Sequence, residues 1–136
     1  MKIGRFGIAA GALILALGCT PSSSATEDAL KEARAACALN FPPPQRNADA
    51  QTHTKIADSL NPNIEHAKLA AQKDRQWDEL AQALIDIQKI SRLQAITRAP
   101  GQNPDTVRSA DSEVGELLMG MPVVTFSREC DEAKAG

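Results

Sequence analysis

From Pro62 to Arg98 the chain runs with no proline or glycine after its first residue, the longest such stretch in the sequence. Within it Trp77, Leu80, Ala81, Leu84 and Ile87 recur at i, i+3, i+4, i+7 and i+10, the spacing that lines one face of an α-helix. Beyond Ile87 the apolar positions step by three, through Ile90, Leu93 and Ile96. At about 100° per residue each such step falls about 60° short of a full turn, so the stripe rotates around the axis. Two outcomes satisfy that rotation: a break near Ser91, or several neighbours wrapped around the far end.

The rest of the mature chain also reads as helix. Ser24 stands three before Glu27, a capping-box spacing, and a first helix is expected to about Leu39. Leu30, Ala33 and Cys37 share its apolar stripe, with Glu27 and Lys31 as an i, i+4 pair elsewhere on it. Pro42, Pro43 and Pro44 end it, because proline lacks the N–H and biases the preceding residue away from helix. A weak second helix is expected from about Ala48 to Leu60. Asn61-Pro62 and Asn103-Pro104 each read as a cap followed by proline at the first helical position. Val107, Ala110, Val114 and Leu117 carry one of these helices to about Met119. "PVVTF" has β-branched character but no second strand to pair with. As helix, Val123, Phe126 and Cys130 form one stripe. The expected fold is all-α, a small bundle of four or five helices.

The first residues are of another kind. Lys2 and Arg5 precede an uncharged run, Phe6 to Leu17, of about the length of a secretory signal's apolar core and too short to span a bilayer. Gly18 and Cys19 close it, and "TPSSS" follows. In these residues the sequence resembles bacterial lipoprotein precursors, with a looser fit at Ala16 and Leu17. The resemblance covers only this N-terminal stretch. It implies cleavage before Cys19 and lipidation of that cysteine, giving a signal peptide over 1–18, a polar tether over 19–25 and a helical domain over 26–136. The alternative is ordinary secretion, for which Ser23-Ser24-Ala25 offers a small-x-small cleavage pattern.

Losing Lys2 and Arg5 from 15 basic residues leaves the 17 carboxylates in excess by about four, which argues against a nucleic-acid partner. With one tryptophan, three phenylalanines and no tyrosine, little is available for stacking on bases or sugars. With Cys19 assigned to lipid, Cys37 and Cys130 remain as an even pair in an oxidising compartment, and either cleavage pattern leaves the same pair. A Cys37–Cys130 disulfide is therefore expected to tie the first helix to the last. The loop closed would contribute about 4–5 kcal/mol in the chain-entropy account.

No catalytic motif emerges, and no cofactor is implied. His53 and His66 lack the ligand spacing of a zinc site and read as surface or capping residues. Asp78, Glu79 and Asp86 read as a solvated face rather than paired catalytic carboxylates. Met119 and Met121 read as core filler at a helix end rather than a soft-metal site. The expected function is a lipid-anchored protein of the bacterial cell envelope, facing the periplasm or exterior. It would act as an interaction or structural module, with the membrane and an envelope protein as partners and its binding surface on the middle helices. The alternatives are a soluble secreted helical binding protein or inhibitor, and an enzyme with a non-obvious carboxylate or histidine site.

Overall fold

The computed structural model describes residues 23–39 and 47–136, and among them every regular element is helical. Six α-helices follow one another: α1 (Ser23–Ala36), α2 (Ala50–Ser59), α3 (Asn61–Lys73), α4 (Asp78–Arg98), α5 (Pro104–Met119) and α6 (Pro122–Ala135). A single 3₁₀ turn, Arg75–Trp77, sits between α3 and α4. The all-α bundle expected from periodicity is the fold observed.

Local chemistry sets most of the boundaries. The Asp49 carboxylate accepts from the Thr52 N–H at 2.7 Å and caps α2. Asn103 does the same for α5, accepting from the Asp105 N–H at 2.8 Å with Pro104 behind it. The parallel expectation for Asn61 fails. Leu60, in helical conformation and fully buried, stands before α3, and Asn61 is already α3's first residue. Its side-chain oxygen instead accepts from Gln88 Nε2 on α4 at 2.8 Å. Residues 23–25, read from sequence as the end of a tether, already belong to α1.

The long stretch is broken, but at Asp74 rather than Ser91. Asp74 takes an extended conformation that ends α3, and its carboxylate accepts from the Gln76 N–H at 3.1 Å to open the 3₁₀ turn. Trp77 is buried in that turn and α4 then runs unbroken past Ser91, whose hydroxyl donates to the Ile87 carbonyl. Wrapping neighbours account for the rotating stripe. Ala57 O accepts from Gln88 Nε2 and Ala48 O from Arg98 Nη1, so α2 lies antiparallel along the second half of α4. Lys89 pairs with Glu113, which sets α5 beside the same half.

The main core lies elsewhere. Ala29, Ala33 and Ala36 of α1 meet Ile64, Ala67 and Ala70 of α3, Trp77 of the 3₁₀ turn, Leu80, Leu84 and Ile87 in the first half of α4, and Cys130 and Ala133 of α6. Apart from Leu60 at the α2–α3 junction, no residue of α2 or α5 belongs to this cluster. The alanines let α1 and α3 approach closely, and Asn63 Nδ2 donates to the Ala36 carbonyl at 3.1 Å, satisfying a backbone group that the end of a helix leaves open. Cys37 and Cys130 are bonded, with Cα atoms 5.5 Å apart. Arg34 Nε donates to Ala133 O at 2.8 Å, so α6 runs antiparallel to α1. The molecule thus has a stapled centre (α1, α3, the first half of α4, and α6) with α2 and α5 as outer helices.

Candidate interaction surface

The residues that sequence analysis singled out are dispersed. Cys19 lies outside the described residues. Cys37 and Cys130 are joined in the core, as expected. His66 is a surface residue with a structural tie: its Nδ1 lies 2.6 Å from Glu32 Oε2, linking α3 to α1. Lys73 adds a second contact to the same carboxylate at 3.8 Å. The hydrogen bond from His66 holds the Glu32 carboxyl below its ordinary range. Asp78 pairs with Arg75, Glu79 with Arg128, and Asp86 accepts from Gln82 at 2.8 Å. Each carboxylate has its own local partner, and the three do not converge on a common point. Among the described residues no group of three His, Cys, Asp or Glu side chains is placed to hold a metal ion.

Two expectations are overturned. His53 is neither a surface nor a capping residue: it is 8% exposed and enclosed beneath α2. Burial, then the positive charge of Arg98, pushes its imidazole below the ordinary histidine value. Met119 and Met121 are not core filler, being 83% and 60% exposed. They stand on the turn from α5 to α6, and the residues on either side are exposed too: Leu118, Val123 and Val124. Val123 was expected on the inward stripe with Phe126 and Cys130. Phe126 packs partly on the core and Cys130 is buried, but in the first turn of α6 Val123 and Val124 stay exposed beside buried Pro122.

From Leu118 to Val124 the sequence reads Leu-Met-Gly-Met-Pro-Val-Val, without a charge. Its backbone is held in a tight turn. Gly120 N donates to Leu117 O at 3.1 Å and Met121 N to Leu118 O at 3.0 Å. Met121 takes φ 49 and ψ 49, the left-handed conformation that usually falls to glycine, while Gly120 beside it stays right-handed. A methionine therefore occupies a strained position with its side chain largely exposed. Monomeric proteins seldom leave such apolar groups contiguous without using them, and methionine's flexible, polarisable chain adapts to varied partner shapes.

Charge frames this corner. Glu113 and Glu116 precede it on α5, and Asp131 and Glu132 lie further along α6. Arg128, the nearest cation on α6, is already engaged by Glu79 and by Glu129 at 2.9 Å. Sequence patterning could not separate this corner from a buried stripe, because periodicity records which residues share a face and not whether another helix covers it. One cue was present: glycine and proline flank the second methionine. Among the described residues, no helix is long and apolar enough to cross a membrane. No protein-family profile, curated protein or solved structure matches this chain.

Proposed function

We propose that the protein is a lipid-anchored component of a bacterial cell envelope, tethered through Cys19, that binds a protein partner at the α5–α6 corner. The observation that carries this reading is the exposed apolar group Leu118, Met119, Met121, Val123 and Val124, set around buried Pro122 in a charge-free run at the end of the stapled core remote from the N-terminus. Cys19 is at most about 14 Å of extended chain from the first residue of α1. α1 is 14 residues long, and α6 extends back from Cys130 to Pro122 beyond it. At about 1.5 Å per residue, measured along these two helices, the corner lies roughly 30 Å from the start of α1. An anchor at Cys19 therefore holds the opposite end of the core to the bilayer and leaves the corner free for a partner on the far side. The Cys37–Cys130 bond supports the same reading, since structural disulfides persist in oxidising, exported locations.

The test has two arms. Cys19→Ser should leave unprocessed precursor or release the protein from the membrane fraction; unchanged anchoring would refute the tether. A photo-crosslinking residue in place of Val124 should yield a discrete adduct in intact cells that is absent when the same group replaces Gln72, an exposed residue of α3. Loss of that adduct on Met119→Asp, with the fold retained, is expected. Equal labelling from both sites would refute the corner as the binding surface.

A further inference from the structure

α2, like α5, stands outside the main core cluster. Its buried side chains are His53 and Ala57, and neither joins the main core cluster. Two hydrogen bonds tie it to α4: Gln88 Nε2 donates to Ala57 O at 2.7 Å and Arg98 Nη1 to Ala48 O at 3.1 Å. At its centre sits an imidazole whose Nε2 is buried with no hydrogen-bond partner among the described residues. A neutral ring tolerates that setting at modest expense, but a charged one does not, because an unpaired charge out of water is strongly penalised. The charges that reach His53 are Arg98 on α4, which opposes an imidazolium, and Asp49 at the start of α2, which favours one but is committed to capping Thr52. Lys55 and Asp58 on α2, and Lys89 and Arg92 on α4, are exposed. At the α2–α3 junction Glu65 of α3 is exposed and paired with Lys68.

We infer that α2 is an acid-released latch: neutral His53 keeps it seated on the second half of α4, and protonation of the ring frees it while the stapled core stays folded. Release would uncover α4 from about Gln88 to Arg98, the stretch that α2 spans. The separation of roles follows from the architecture, since α1, α3, α6 and the first half of α4 share the disulfide-tied cluster without α2. This inference is independent of the proposed anchor and partner.

Amide hydrogen exchange on the disulfide-bonded full chain, corrected for intrinsic rates, tests it. With an ordinary imidazole value of about 6.5 in the open form, the opening equilibrium of α2 should rise by up to about tenfold between about pH 7.5 and 5.5. At both pH values α1, α3 and α6 should open at a higher free energy than α2, because they stay folded when α2 is released. His53→Leu should abolish the pH response of α2. A flat profile for α2, an α2 that opens only at the free energy of the core helices, or a response that survives His53→Leu would overturn the latch. NMR titration of the His53 ring in the unaltered protein keeps the test open should that variant not fold. α2 amide shifts should titrate together with the ring, whereas a ring that titrates at the ordinary value without moving them would refute the inference.

Discussion

Cys37, the residue immediately after α1, is bonded to Cys130 within α6, with Cα atoms 5.5 Å apart and a sequence separation of 93. The bond joins the two ends of a core assembled mostly from alanine, with Leu60, Leu80 and Leu84 as its largest fully buried side chains. Small side chains permit close helix packing but bury little area each, so the covalent tie carries a large share of the net stability. Reduction should therefore lower the thermal midpoint by more than about 10 °C while leaving helical content similar below the transition. Trp77, the only tryptophan and buried against the same cluster, reports the transition by fluorescence.

Leu84→Ala should cost about 2–5 kcal/mol in chemical denaturation, because it empties a fully buried site among α4 and its neighbours. Leu118→Ala should change stability by less than about 0.5 kcal/mol, since that side chain is half exposed on the corner. Similar losses at the two positions would contradict the assignment of core and surface.

Met121→Gly should stabilise the fold by about 0.5–1 kcal/mol, because glycine accepts the left-handed conformation that methionine adopts there under strain. The same change should weaken partner capture by removing an apolar contact. A variant that is both more stable and binds as well as the parent would show that the strained methionine has no role at the corner.

Stability should fall in two stages as pH drops. His53 is held below its ordinary value by burial and by Arg98, so its contribution is complete in the neutral form. It diminishes as pH falls through about 6.5, the unfolded-state value, toward the lower folded-state value. Glu32, held low chiefly by the hydrogen bond from His66, and Asp49, held low chiefly by Thr52, are also depressed. Carboxylates of this kind contribute above their unfolded-state values and lose that contribution as pH falls through the folded ones, so the second decline lies below about pH 4. Denaturation midpoints across pH 3–8 for the parent, His53→Leu and Glu32→Gln should separate the stages. His53→Leu should remove the first and Glu32→Gln should reduce the second.

Much of this fold was legible because helix signals are local. The Leu80–Ile87 part of the stripe, the Asn103-Pro104 cap and the helical reading of Val123, Phe126 and Cys130 rest on spacing within a few residues, and the structure has a helix at each. Tertiary facts were less accessible. The break after α3 is made by a single aspartate, Asp74, with no glycine or proline to announce it. Asn61 carries a capping residue's identity, yet Gln88, distant in sequence, engages it instead. The burial of His53 and the exposure of Met119 and Met121 depend on which helix faces are covered by neighbours, which composition and period do not encode.

Intact-mass analysis of the N-terminal fragment from the membrane fraction decides whether Cys19 is the anchor. The expected result is a chain beginning at Cys19 with acyl-chain mass on that residue. The anchor would carry membrane affinity of about 0.8 kcal/mol per buried CH₂, summed over more than one chain. A soluble protein whose first residue is Thr26, with no lipid mass, would contradict it.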